Sequence, residues 1–288
     1  MTLPDDAKIA VTGATGRVGG RIARGLAAAG AAQRLVVPRP ERAPRLPGAT
    51  AVRCAYGDHD AARALEGIEV LFMVSASESP DRLSRHLAFA DAAARAGVRH
   101  VVYLSFFGAA PDAVFTLARD HWATEQHIRG GGLTYTFLRD NFYADFMPAL
   151  VGEDGVIRGP AGEGRAAVVA QDDIARAATA VLLDAAGHAG RTYDLTGPRA
   201  HSMADVAVIL SEATGRTITY RPESVAEAYR SRASYGAPGW QVDAWVSTYT
   251  AIAAGELDGV SGDVEKLTGR AATPLADVVR AANPPAPA

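Results

Sequence analysis

The 288-residue sequence has one cysteine, Cys54. A single thiol cannot close a disulfide within its chain or build a thiolate metal cage. This usage suits a reducing cytoplasm, the compartment expected here. No apolar run approaches the roughly 20 residues that a membrane span needs. The opening, MTLPDDAK, is too acidic and too poor in apolar residues for a signal peptide. Charge of one sign is also missing: the net charge is −3, with no basic surface for nucleic acid or anionic lipid. His86, His100, His121 and His127 fall into no H-x-x-x-H or H-E-x-x-H pattern, so no metal site is expected. No G-x-S-x-G elbow and no internal repeat occur. Hydrophobic residues at 48% and charged residues at 21% leave an ordinary globular composition, with length for one large domain or a domain with an appendage.

What is present is alternation. KIAVTG, QRLVVPR, AVRCAYGD, VLFMVSA, HVVYLSFFG and TYTFLRDNFY read as six strands. Between them GRIARGLAAAG, DAARALEG, DRLSRHLAFADAAARAG and LARDHWATEQHIRGGG read as helices. Strands that are apolar along their whole length, separated by helices, predict a parallel sheet covered on both faces. The fold class expected is α/β, a Rossmann-type doubly wound parallel sheet with a smaller, mainly helical C-terminal substrate lobe. The expected bounds are 1–150 for the dinucleotide-binding domain and 151–282 for the substrate lobe, interleaved with the main fold. Within the lobe RAAVVAQDDIARAATAVLLDA reads as a strand and helix pair, and 223–267 as helical. Residues 283–288, ending NPPAPA, read as a disordered tail.

The strongest local signal is VTGATGRVGG, which leaves a strand and enters a helix. Its glycines stand at Gly13, Gly16 and Gly19. Gly13 permits the sharp turn, Gly16 lets backbone amides approach a pyrophosphate, and Gly19 lets the helix lie against the sheet. The helix N-terminus then offers free N–H donors and partial positive charge. Strand two ends VVPRPER, where an NAD-selective site usually carries a carboxylate on the ribose. Arg39 and Arg42 stand there instead. A guanidinium matches a 2′-phosphate in charge and geometry. The expected cofactor is therefore NADPH (NADP). Thr12, Thr15, Arg17 and Val18 complete the phosphate turn. Asp58 is placed toward the adenine end, with a helix cap as its other reading. Ser75, after strand four, and Asn141 and Phe142, after strand six, complete the expected cofactor set.

These motifs, with YGDHDAARALEGIEVLFMVSA, GVRHVVYLSFFGA, GLTYTFLRDNFYADF and DVEKLTGR, resemble the short-chain dehydrogenase/reductase superfamily. They are most similar to its atypical NmrA-like branch, which includes NADPH:quinone reductases. The resemblance covers most of the chain. In the superfamily a serine ends strand five, a tyrosine donates the proton, and a lysine four residues later holds the nicotinamide ribose. Ser105 fits the serine. Leu117 stands at the tyrosine position and His121 at the lysine position, so the usual Tyr-Lys pair is missing.

His121 is then expected at the cofactor, as a ribose ligand or as a proton donor titrating near neutrality. The plainer reading is a helix-face histidine paired with Glu125 four residues on. Arg119, Asp120 and Glu125 are expected in solvent or paired along the helix. Tyr143 is a second candidate donor, Ser105 a candidate carbonyl ligand and Tyr103 a core residue. Phe106, Phe107, Phe142 and Phe146 suit either a flat-walled pocket for an aromatic substrate or the core. The function expected is an NADPH-dependent reductase moving a hydride to a quinone or ketone carbonyl of an aromatic, polyketide-type substrate. The alternative is a non-catalytic redox sensor that binds the dinucleotide and changes partners. Partners expected are a small aromatic substrate, no nucleic acid and no membrane, in a monomer or homodimer.

Overall fold

The structure, a computed structural model, describes residues 8–283. The readings of the opening segment before Lys8 and of the tail from residue 284 lie outside the described residues. The chain forms two compact units, each gathered from three stretches. The first comprises Met1–Phe106, Asp120–Arg139 and Ile174–Tyr193. The second comprises Phe107–Arg119, Asp140–Asp173 and Asp194–Ala288.

A sheet is the frame of the first unit. Its strands are β1 (Ile9–Thr12), β2 (Gln33–Val37), β3 (Ala49–Arg53), β4 (Val70–Met73), β5 (His100–Phe106) and β6 (Thr134–Asp140), followed much later by an edge strand at Arg191–Leu195. The spatial order is β3-β2-β1-β4-β5-β6 and then that edge strand. The four pairs from β3 to β5 are parallel. This is a doubly wound order that reverses direction between β1 and β4, where such sheets bind ligands. The connecting helices are α1 (Arg17–Ala28), α2 (Ala61–Ala64), α3 (Arg82–Arg95) and α4 (Thr116–Gly130). DAARALEG supplies only the single turn of α2.

Periodicity explains these elements. All of β5 is buried, as a central parallel strand must be. Val18, Ile22 and Leu26 recur at helical spacing on the buried side of α1. Leu65, Leu71, Phe89, Val101, Tyr103 and Phe137 share one hydrophobic core. Each fully buried large apolar group contributes about 1.5–3 kcal/mol.

Register fixes what shares an edge. Thr12 pairs with Val36, Val11 with Phe72, Val37 with Arg53 and Met73 with Tyr103. The loops after β1, β2, β3 and β4 therefore leave the sheet at one end. Every one of them carries an expected cofactor residue.

The second unit is held by smaller pairings. β7 (Val156–Gly159) runs parallel to a strand at Thr219–Pro222, and β8 (Arg165–Ala166) runs antiparallel to His201–Ser202. Ser202 and Ser224 cap the helices Met203–Thr214 and Val225–Arg232, each with a reciprocal acidic partner three residues on. Two further helices, Gly239–Ala253 and Asp263–Thr268, help fill the stretch read as helical. In RAAVVA the residues after Arg165 are buried, but they form no regular strand beyond Ala166. Its amides bond irregular partners instead: Ala167 N–H to Leu257 O at 2.9 Å and Val169 N–H to Phe142 O at 2.8 Å.

Candidate functional site

The glycine turn has the shape its spacing requires. Gly13 adopts φ 65°, a left-handed conformation open to glycine, and a Cβ there would strike the Val74 side chain. A Cβ on Gly19 would strike the Gly13 carbonyl. The Gly16 amide bonds the Gly13 carbonyl at 2.8 Å and tightens the turn. Gly16 is also the N-cap of α1, with no side-chain cap and no acidic residue in the first turn. Thr15, Gly16 and Arg17 form the exposed tip, and Val18 anchors the helix from below.

Thr12 works inside the fold. Its hydroxyl donates to Phe72 O at 3.2 Å and accepts from Val74 N–H at 2.9 Å, fastening β1 to the loop after β4. Tyr56, 3.0 Å from the same hydroxyl, donates to Val74 O. The next step of that loop is fastened as well. Ala76 N–H donates to His86 Nε2 at 2.8 Å, and Ala76 O accepts from Arg82 Nε at 3.2 Å. Ser75 lies between these two clamps and makes no side-chain bond to any described residue.

Arg39 and Arg42 flank a short turn at Pro40–Arg42, both exposed. Their guanidinium groups, and that of Arg17, bond no described residue. Asp58 Oδ2 accepts the Ala55 amide at 2.8 Å, which ties its own loop. The cap of α2 is Asp60, so the helix-cap reading of Asp58 is replaced by a loop tie.

The LARDHWATE helix carries a buried polar network. His121 is 6% exposed. Arg82 Nη2 reaches His121 Nε2 at 2.8 Å, and a guanidinium has donors only. Nε2 therefore accepts, and Nδ1–H donates to the Tyr103 hydroxyl at 2.9 Å. Burial, then the Arg82 charge, pushes the His121 pKa well below the ordinary histidine value. A proton donor near neutrality is thus corrected to a neutral ring with both nitrogens occupied inside the first unit. The pairing with Glu125 is corrected too. His86 is held the same way: its Nε2 accepts from Ala76, its Nδ1 meets Thr124 Oγ1 at 3.1 Å, and burial and Arg82 push its pKa down to about 3. Arg82 is buried itself and donates to Asp120 Oδ2 at 2.9 Å, so Asp120 pairs across to α3 and not along its helix.

Glu125, expected in solvent, is fully buried. Its Oε1 accepts from Ser105 Oγ at 2.7 Å and from Arg139 Nε at 2.8 Å, and its Oε2 from Arg139 Nη2 at 2.6 Å. The bidentate fork repays the carboxylate's desolvation. Ser105 is fully buried, and its hydroxyl hydrogen is committed to Glu125. Arg119 is exposed, its Nε donating to Ala113 O at 2.7 Å. Leu117 is only partly buried.

The second unit holds the remaining candidates. Asn141 is fully buried; it donates to Leu257 O at 3.0 Å and accepts the Phe142 amide at 2.8 Å. Phe142 meets Phe115 edge-on with centroids 5.5 Å apart. The Tyr143 hydroxyl donates to Asp140 Oδ2 at 2.9 Å. Phe107 packs over Gly259, and Phe146 is half exposed, whereas Phe106 belongs to the first unit's core beside His121. Sequence reasoning missed Arg82, His86, Tyr56 and Arg139, polar groups whose bonding depends on partners distant in sequence, and Asp140, which Tyr143 bonds from three residues on.

Residues 5–233 match the model of the NmrA-like family. The chain belongs to the NmrA-like family. It is 34% identical over 280 residues to quinone oxidoreductase 2 of Escherichia coli, covering 94% of this chain and 97% of that one. It is 35% identical over 275 residues to the (4-alkanoyl-5-oxo-2,5-dihydrofuran-3-yl)methyl phosphate reductase of Streptomyces griseus, covering 93% and 95%. Among solved structures, the NADPH-dependent quinone oxidoreductase of Escherichia coli, complexed with NADPH, superposes with a TM-score of 0.87 at 32% identity, covering 95% of this chain and 99% of that one.

Proposed function

We propose that this NmrA-like protein is an NADPH-dependent reductase that passes a hydride to a quinone or to the carbonyl of an aromatic acceptor. One observation carries the reading. The turn Gly13–Val18 is an acid-free helix N-terminus that has no room for a Cβ at Gly13, and it shares a sheet edge with Arg39 and Arg42. Amide donors and a helix dipole suit a diphosphate. Guanidinium groups with no partner among the described residues suit the further 2′-phosphate that separates NADPH from NADH. The names of the relatives, a quinone oxidoreductase and a reductase, agree with this chemistry.

NADPH, when bound, supplies the hydride. The chain's own residues bind and orient. Gly13–Val18 holds the diphosphate, Arg39 and Arg42 the 2′-phosphate, and Asp58 the adenosine side. The clamped Val74–Ala76 loop presents Ser75 as a fixed wall. His121 acts as a positioning residue: neutral and doubly bonded, it locks Arg82, which holds the Ala76 carbonyl. Ser105 and Glu125 brace β5 against β6 through Arg139. Tyr143 is the proton donor proposed. A quinone suits a site with no conventional Tyr-Lys pair, because its reduced oxygens are less basic than a ketone's alkoxide.

The test mixes protein, NADPH and a panel of quinones and aryl ketones, and follows loss of nicotinamide absorbance. Turnover with a quinone supports the reading. Tight NADPH binding without turnover on any acceptor overturns it in favour of a dinucleotide sensor.

A further inference from the structure

Val74, Ser75 and Ala76 leave β4 as an irregular loop, yet two of the three have amide and carbonyl both held by side chains. Val74 N–H donates to Thr12 Oγ1 at 2.9 Å, and Val74 O accepts from the Tyr56 hydroxyl. Ala76 N–H donates to His86 Nε2 at 2.8 Å, and Ala76 O accepts from Arg82 Nε at 3.2 Å. Ser75, between them, is partly exposed, and neither its backbone nor its hydroxyl bonds a described residue. The fold holds this one residue still from both sides and leaves its own polar groups unused.

The Ala76 clamp is built from two helices. Arg82 and His86 stand four residues apart on α3 and so share a face. Both are locked from α4. His86 Nε2 accepts, so the ring hydrogen sits on Nδ1 and goes to Thr124 Oγ1 at 3.1 Å. Thr124 Oγ1 donates in turn to Asp120 O at 2.7 Å. Arg82, 3% exposed, gives its other two nitrogens to Asp120 Oδ2 at 2.9 Å and His121 Nε2 at 2.8 Å. Each donor has its acceptor, and no member can turn without stranding another inside the protein. All of these residues belong to the first unit, as the glycine turn does.

Strand order says which part of a dinucleotide this loop meets. β2, β1 and β4 are neighbours, with β1 in the middle. The diphosphate turn follows β1, and Arg39 and Arg42 follow β2. A dinucleotide with its 2′-phosphate over β2 extends its other half across β1 toward β4. We infer that Arg82 and His86 are positioning residues for the nicotinamide half of NADPH, fixing Ser75 as its hydrogen-bonding surface. The role rests on the NADPH reading of the glycine turn. Both residues act through the Ala76 backbone. A loop already in place has little freedom to lose when the cofactor arrives, so the bonds Ser75 makes are not offset by an ordering cost.

The experiment titrates the full-length protein calorimetrically with NADPH and with adenosine 2′,5′-bisphosphate, which carries the 2′-phosphate and lacks the nicotinamide half. His86→Leu keeps bulk and removes the acceptor for Ala76. Its NADPH affinity falls by at least about tenfold, while its affinity for the bisphosphate stays within about twofold of wild type. His86→Gln, whose amide oxygen again accepts from Ala76 N–H, recovers most of the NADPH affinity. Arg82→Lys keeps the charge but not the three-way fork, and loses NADPH affinity with the same selectivity. Should one of His86→Leu and Arg82→Lys fail to fold, the other reads the same split. Unchanged NADPH affinity, or an equal loss of both ligands, overturns the inference. So does a His86→Gln that binds NADPH no better than His86→Leu. A wild type that binds neither ligand overturns the NADPH reading itself, and this role with it.

Discussion

Replacing His121 separates a structural ring from a titrating catalyst. His121→Ala removes the acceptor facing Arg82 Nη2 at 2.8 Å and the donor facing the Tyr103 hydroxyl at 2.9 Å. Both orphaned groups are buried. Each unsatisfied buried group costs about 1–3 kcal/mol, and the void left by the ring adds about 1–2 kcal/mol. Together these make about 3–8 kcal/mol, a loss in melting temperature of at least about 6 °C for a chain of this size. Arg82 would also be released from one of its anchors, which loosens the Ala76 clamp and weakens NADPH binding. His121→Asn keeps a short acceptor and donor and loses less stability. Urea unfolding and thermal melts measure the first effect, and the pH dependence of kcat/KM measures the second. The wild type should show no ionisation near 6.5 that belongs to His121, because its pKa lies far below. An ionisation near 6.5 that vanishes in His121→Asn, with melting unchanged, would refute this reasoning.

Gly19→Ala forces a methyl group into the Gly13 carbonyl, so NADPH affinity should drop by at least about tenfold, the equivalent of 1.4 kcal/mol; calorimetric titration checks it. Glu125→Ala removes the fully buried carboxylate that Arg139 and Ser105 bond and should cost about 3–5 kcal/mol in urea unfolding, whereas a solvent-face glutamate would cost almost nothing. His86 is depressed from 6.5 to about 3 in the fold, so the folded state disfavours its proton. The stability it contributes is complete above 6.5 and is lost as pH falls toward 3, a loss that His86→Asn should blunt in acid-unfolding curves. Asp140 has the opposite sign: its raised pKa gives stability that is complete below 3.8 and is lost as pH rises through the folded value. Asp140→Asn should therefore melt higher than wild type at alkaline pH.

The parts of the fold that chain chemistry dictates locally were legible in the sequence. Gly13, Gly16 and Gly19 advertise a turn because their backbone conformations and close contacts exclude side chains, wherever the rest of the chain lies. The strands announced themselves through unbroken apolar runs such as VVYLSF, since both faces of a parallel sheet are covered. The helix of LARDHWATE was legible too, but not its burial. Glu125 looks like a surface residue until Arg139, fourteen residues on, brings a fork to it. Arg82 looks like an ordinary first-turn arginine until Asp120 and His121 close around it. RAAVVA has strand composition, yet Leu257 and Phe142 draw its amides into irregular bonding. Asp140 sits in a strand-end pattern, RDN, that normally faces water. For Glu125, Arg82 and RAAVVA the deciding partner lies well along the chain, and composition carries no record of it; for Asp140 the partner, Tyr143, is close, but nothing in RDN announces its burial.

The central claim is that the Gly13–Val18 turn, with Arg39 and Arg42 beside it, receives a dinucleotide bearing a 2′-phosphate. Titration calorimetry with NADPH and NADH, on the wild type and on Arg39→Ala/Arg42→Ala, tests it directly. The account predicts that NADPH binds at least about tenfold more tightly than NADH, a gap of about 1.4 kcal/mol, and that the double substitution erases the gap without weakening NADH. Equal affinity for the two cofactors in the wild type, or no heat from either, would contradict it.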